Sequence, residues 1–270
     1  MKPYLHKALA ALATITLLGF VATGQSWAQA QSKLDTIPRA NVLKVGWAVF
    51  HPYIYRDPKT NQVTGFSIDL AQEMAKGLGD NVKVELVEDG WSTFAAGLQA
   101  NKFDVFPGAA ISLRRALAVS FSEPYTKQIY SLLAPGEAAS KAKSWKDFDR
   151  PGQKIVTILG STTDTYLANL IKQAEVVRVR TVPDGLLALV SGRVNAYAST
   201  TDSLVALRKE HPNFAIGPGG FATTGFAFAL PRNDPQWTAW VNEFVREMKR
   251  TGRITQLLDK YGMDHSFAAD

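Results

Sequence analysis

From Val42 onward, short runs of β-branched and aromatic residues alternate with stretches whose apolar positions recur at helical spacing. That pattern predicts α/β construction around parallel strands. The first predicted strand covers residues 42–47, and a helix over 64–78 follows, with Ile68, Leu70, Ala71, Met74, Ala75 and Leu78 on one face. Gly77 and Gly79 near its end supply a helix stop. A strand at 82–87, a helix at 91–100 and a strand at 103–106 complete the first unit. The alternation then restarts, with strands at 155–159, 176–179 and 194–198 and helices at 162–173 and 184–191. A continuous apolar run at 225–230 reads as a buried strand. It leads into a helix carrying Trp237, Trp240, Val241, Phe244, Val245 and Met248 on a single stripe. Six large apolar residues so arranged are core packing rather than a cofactor site, and the helix is expected to dock back on one unit.

The two units echo each other. Residues 98–106 and 189–197 share a Leu-x-small-x-basic-apolar-Asp/Asn-x-aromatic pattern at an offset of 91 residues. Gly108 to Ser112 and Ser199 to Asp202 follow the two copies, and both are expected as loops beyond the carboxyl end of a strand, where open α/β sheets bind ligands.

The first 30 residues have the make-up of a secretory leader: Lys2 and Lys7, an uncharged stretch over 8–21, and Ala28-Gln29-Ala30 as a small-x-small cleavage site. The apolar stretch falls short of the ~20 residues of a membrane span. Cleavage after Ala30 leaves 240 of the 270 residues and lowers the net charge from +6 to +4. No cysteine is present, which excludes disulfides, thiolate catalysis, Cys-ligated metals and a lipid anchor on cysteine. The pI near 9.4 raises the question of nucleic acid, but the basic residues are scattered pairs such as Arg114-Arg115 and Arg208-Lys209, so a solvated surface is the better reading. Among the four histidines, His51, His211 and His265 lack metal-ligand spacing, and no phosphate-binding or nucleophile motif occurs. No cofactor or metal is implied.

Read in order, several segments make this chain similar to the extracellular solute-binding proteins of family 3, which serve ATP-binding-cassette importers. They are Phe50-His51-Pro52-Tyr53, residues 64–70 from Thr64-Gly65-Phe66, Trp91, Phe103-Asp104, residues 108–115, residues 121–125, Gly160-Ser161-Thr162 and residues 192–196. Each is weak alone; their order and spacing together are specific, and they cover nearly the whole chain after the leader. The resemblance implies a two-lobed, type II periplasmic-binding-protein-like fold: two α/β lobes joined by two crossing strands, with solute held in the cleft between. Lobe 1 would comprise 31–128 and 223–270, and lobe 2 would comprise 129–222. It further implies a binding protein that captures a small polar, carboxylate-bearing solute by hinge closure and meets an inner-membrane permease transiently; the leader and the absence of cysteine point to the periplasm, and a monomer is the default for such a shuttle. No nucleic acid enters that picture.

Within the resemblance Arg115 takes the place of the carboxylate-binding arginine, and its planar fork suits a carboxylate. Its neighbour Arg114 reads as a surface residue. Ser161 and Thr162 would hold the same carboxylate from lobe 2, helped by a helix N-terminus, although ordinary capping explains them equally well. Phe50 and Trp91 would sandwich the apolar part of the solute, with Tyr53 beside them or in the core. Gly108, Ala110, Thr200 and Asp202 fall on the remaining ligand positions; Asp69 reads as structural and His51 carries little weight. Amino-acid binders of the family hold the ligand ammonium with a Ser or Thr and an Asp at the positions that are here Ala110 and Thr200. Asp202 would have to substitute, or the ligand is an organic acid without an ammonium. The alternative is an enzyme in the same cleft, since the family includes cyclohexadienyl dehydratases acting on prephenate or arogenate.

Overall fold

The computed structural model describes residues 31–269, so the leader and its cleavage site lie outside the described residues. The first lobe opens with α1 (Lys33–Ala40), β1 (Val42–Trp47), the short pair β2 (Tyr55–Arg56) and β3 (Val63–Thr64), α2 (Phe66–Leu78) and β4 (Lys83–Glu88). It continues through α3 (Phe94–Gln99), β5 (Phe106–Ala110), α4 (Leu113–Ala116) and β6 (Ser120–Phe121). The long β7 (Thr126–Pro135) leads into α5 (Gly136–Lys141), β8 (Lys154–Ile158), α6 (Thr162–Leu170) and β9 (Glu175–Val179). The second lobe then runs through α7 (Val182–Val190), β10 (Ala196–Thr200), α8 (Thr201–Glu210) and β11 (Phe214–Ile216). The chain returns along β12 (Ala222–Leu230) to α9 (Pro235–Arg250) and α10 (Arg253–Lys260).

β1 and β4 pair in parallel, and a parallel bridge from Val45 to Val105 joins them to the segment entering β5. The other sheet runs β5-β12-β7-β10-β8-β9, so β7 and β12 connect the two halves. Residues 126–130 of β7 pair antiparallel with 222–226 of β12, while its last residues pair with β10 and β11. These are the two crossing strands, and the fold is the expected two-lobed α/β arrangement.

The first core gathers Leu43, Val45, Leu70, Met74 and Phe66 against Trp237, Val241, Phe244 and Val245 of α9, whose apolar stripe docks as its periodicity predicts. The Trp237 indole donates to the Asp104 carbonyl at 3.1 Å. The second lobe buries Leu132, Ile155 and Ala196 in one cluster and Leu133, Val156 and Tyr197 in another. That alternation along β7, β8 and β10 reflects a sheet covered on both faces.

Element existence follows the pattern, but several ends move for reasons that lie elsewhere in the chain. Gly108 to Ala110, expected as loop, belong to β5 because Ala109 and Ala110 pair with Ala227 and Phe226 of β12. Ser199 and Thr200 likewise extend β10 through pairing with Ser131 and Tyr130 of β7, and Thr201 and Asp202 already belong to α8. The helix expected over 162–173 stops at Leu170, since the Asp149 carboxylate takes the amides of Lys172, Gln173 and Ala174. The helix expected from Trp91 begins at Phe94, with Asp89 binding the Gly90 amide and the Thr93 hydroxyl ahead of it. The internal echo has a backbone counterpart: Asn101 and Gly192, 91 residues apart, both adopt positive φ (54° and 70°) between a helix and a strand.

Candidate functional site

Between the lobes lies a cleft that encloses about 690 Å³ counting its open mouth. Eight residues singled out from sequence line it: Phe50, Trp91, Gly108, Ala110, Arg115, Ser161, Thr162 and Thr200. They arrive from the loop after β1, the turn before α3, the end of β5, α4, the β8–α6 junction and the end of β10.

Arg115 is aimed inward by a single helical turn. Ser112 caps α4 by accepting from the Arg115 amide, and Leu113 and Leu117 are 91% and 72% exposed, which turns the opposite face to the cleft. The Arg115 guanidinium donates through Nη1 to the Ala110 carbonyl at 3.1 Å and through Nη2 to the Gly160 carbonyl at 3.4 Å, and it lies 5.0 Å from the centroid of Phe94. Burial pushes its pKa down to about 10, with Tyr130 acting weakly the other way. It remains a cation at neutral pH, and no carboxylate pairs with it among the described residues. Arg114 is exposed, as its surface reading predicts.

Opposite Arg115, Ser161 caps α6 by accepting from the Asp164 amide at 3.1 Å, and the Asp164 carboxylate accepts from the Gly160 amide at 3.1 Å. Capping is therefore satisfied within the protein, and the Ser161 hydroxyl proton is still available to an anion. Gly160 has φ +74°, and a Cβ there would stand 2.9 Å from the Ser92 Cβ of the first lobe. This glycine permits both the turn into α6 and the close approach of the lobes.

The aromatic wall is built from Phe50, Trp91, Tyr130, Tyr197 and Phe226. Phe50 meets Trp91 edge-on at 5.8 Å and tilts against Phe226 at 5.3 Å. The Trp91 indole is held by the Val49 carbonyl at 3.3 Å. Tyr130, Tyr197 and Phe226 escape sequence reasoning because each is one residue of a buried strand, with no local motif to distinguish it from core.

Two expected ligand residues are not on this wall. Tyr53 is fully buried behind it, stacked on Phe50 at 4.7 Å and bonded through its hydroxyl to Gln128. Asp202 is also buried off the wall, because it sits inside the first turn of α8, where Oδ1 accepts from the Ser203 amide at 2.8 Å. Burial raises its pKa, partly offset by the Thr200 hydroxyl, the Ser203 amide and the Tyr53 hydroxyl. Conversely, His51 does line the cavity. No lining residue is acidic, and no group of three or more His, Cys, Asp or Glu side chains suited to a metal occurs among the described residues.

The family model "bacterial extracellular solute-binding proteins, family 3" matches residues 43–264. The ABC transporter glutamine-binding protein of Bacillus subtilis is 26% identical over 208 residues, covering 76% of this chain and 75% of that one. The cyclohexadienyl dehydratase of Pseudomonas aeruginosa is 24% identical over 254 residues, 92% of each chain. A crystal structure of an ancestral amino acid-binding protein, described as a precursor of cyclohexadienyl dehydratase, superposes with a TM-score of 0.78 at 31% identity, covering 86% of this chain and 99% of that one. Most of the similar proteins are named as binding components, and on that likeness the chain is a binding protein rather than an enzyme. Fold, cleft and sequence agree that it belongs to the bacterial extracellular solute-binding proteins of family 3.

Proposed function

We propose that the protein is the periplasmic binding component of an ABC importer and captures a small carboxylate-bearing solute, an organic acid rather than an ordinary α-amino acid. The observation that carries this is Arg115: a largely desolvated guanidinium in the cleft, bonded among the described residues to two neutral carbonyls and no carboxylate, calls for an anion to complete its surroundings. The Ser161 and Thr162 hydroxyls and the N-terminus of α6 offer donors to the same anion from the other lobe, so one carboxylate would tie the lobes together. Ala110 and Thr200, and an acid-free wall, leave an α-ammonium without a counter-charge. Closure would hinge where β7 and β12 pass between the lobes, with boundaries near 128/129 and 222/223. The leader is cleaved after Ala30, and the mature chain works as a monomer beside an inner-membrane permease.

Calorimetric titration with the twenty amino acids and a panel of carboxylates tests this. Carboxylates without an ammonium should bind at micromolar affinity or better, about −8 kcal/mol. An ordinary α-amino acid binding that tightly, with no organic acid doing so, overturns the organic-acid assignment. The dehydratase among the relatives supplies the second reading, and incubation with prephenate or arogenate separates the two: a binding protein leaves both unchanged.

A further inference from the structure

We infer that the cavity also reads a second, uncharged hydrogen-bonding group on its solute, through Nδ1 of His51 and the hydroxyl of Thr200. This rests on the carboxylate reading above and adds a specificity element to it.

Three lining residues carry a buried polar atom with no hydrogen-bond partner: Tyr130 (OH), His51 (Nδ1) and Thr200 (Oγ1). Buried polar atoms are nearly always matched, so an orphan beside a ligand cavity points to the ligand. The Tyr130 hydroxyl belongs with the carboxylate end: burial and Tyr166, with Asp202, raise its pKa, while Arg115 and Thr162 act the other way. His51 and Thr200 line the same cavity from opposite lobes. Ser203, three residues beyond Thr200, donates its hydroxyl to the His51 carbonyl at 2.6 Å, which ties the start of α8 to the loop after β1. The His51 ring also packs on Tyr55 at 4.2 Å.

Local structure explains why both groups are free. Thr200 occupies the capping position of α8 yet makes no capping bond. Asp202 supplies that function by accepting from the Ser203 amide through Oδ1, which leaves the Thr200 hydroxyl without a hydrogen bond beside an Asp202 Oδ2 that is likewise unpaired. Burial, with Lys209 and against Glu210, lowers the pKa of His51 and so favours the neutral ring. A neutral imidazole nitrogen and a hydroxyl together can donate and accept, which matches a hydroxyl, carbonyl or amide. An ammonium needs acceptors and a counter-charge, and Asp202 lies off the wall with burial favouring its neutral form.

The experiment is a calorimetric comparison of matched acids on the wild-type protein: phenylpropanoate, phenyllactate, phenylpyruvate, hydroxyphenylpropanoate and phenylalanine, with the corresponding aliphatic set built on leucine. At least one uncharged hydroxy or oxo form should bind about tenfold or more tighter than both the plain acid and the amino form. That preference should shrink toward unity in His51→Ala and in the isosteric Thr200→Val, with thermal melts checking that each variant folds. Plain acids binding as tightly as substituted ones, an amino form binding best, or a preference unchanged in both variants overturns the inference while leaving the carboxylate reading in place. Failure of every acid to bind overturns both.

Discussion

Replacing Arg115 by alanine should abolish most solute binding while leaving the empty protein folded. In the empty cleft the guanidinium makes two bonds to carbonyls, at 3.1 and 3.4 Å, and one contact with the face of Phe94. No ion pair is lost, and the substitution also removes a charge that burial disfavours, so the net change in stability should stay within about 1 kcal/mol. With solute bound the balance differs, because the carboxylate would be left in the closed cleft without its cation. Truncating one partner of such a pair costs roughly 2–5 kcal/mol, which is about thirtyfold to a few thousandfold in Kd at roughly 1.4 kcal/mol per tenfold. Arg115→Lys should recover only part of this, since a point charge replaces a planar fork. The assay pairs calorimetric titration with thermal melting of each variant, with and without solute. Unchanged affinity in Arg115→Ala would refute the argument, and so would a loss of binding accompanied by an equally large loss of stability in the empty protein.

Gly160→Ala should bind more weakly and, by small-angle X-ray scattering, remain expanded at solute concentrations that compact the wild type; the Cβ would meet Ser92 at 2.9 Å and the positive φ adds about 1 kcal/mol of strain. For Asp202 the folded-state pKa is raised, so the folded protein holds this proton more tightly than the unfolded chain, and stability from this group falls as pH rises from the ordinary carboxylate range toward the raised value. Asp202→Asn, which keeps the oxygen that accepts from the Ser203 amide, should therefore gain in Tm relative to wild type as pH rises from about 4 toward neutrality; a difference independent of pH would remove Asp202 from this account. Trp237→Ala should destabilise by about 3–5 kcal/mol in denaturant titration, because it empties a fully buried site and orphans the Asp104 carbonyl.

Legibility from sequence divides along a physical line. The elements and the docked α9 were readable because each depends on its own periodicity, as the match of β1 to residues 42–47 and the buried stripe of Trp237, Val241, Phe244 and Val245 demonstrate. Boundaries moved wherever a distant group decided them: Asp149 ended α6, and β12 and β7 drew Gly108 to Ala110 and Ser199 to Thr200 into strands. Arg115, Ser161 and Thr162, singled out through the family resemblance, reach the cavity for a related reason. Arg115 follows the Ser112 cap by three residues, and Ser161 caps the helix that Thr162 opens, so local hydrogen bonds set their direction.

The uncharged end depends on contacts between lobes, which local sequence does not display. Asp202 looks in sequence like the carboxylate that could face a ligand, yet the helix start claims it; Thr200 reaches the lining and makes no capping bond of its own. His51 gains meaning only when Ser203, 152 residues away, fixes the loop carrying it. If the cleft closes on its solute as proposed, groups placed by their own helix caps can meet the solute first and groups brought together across the cleft can select it afterwards. In an open state each lobe would still present its anion donors, whereas His51 and Thr200 would be brought to one cavity only by the contact of Ser203 with the loop after β1. Discrimination among acids should accordingly appear in the dissociation rate of the closed complex more than in the rate of first encounter, a split that stopped-flow Trp91 fluorescence can resolve.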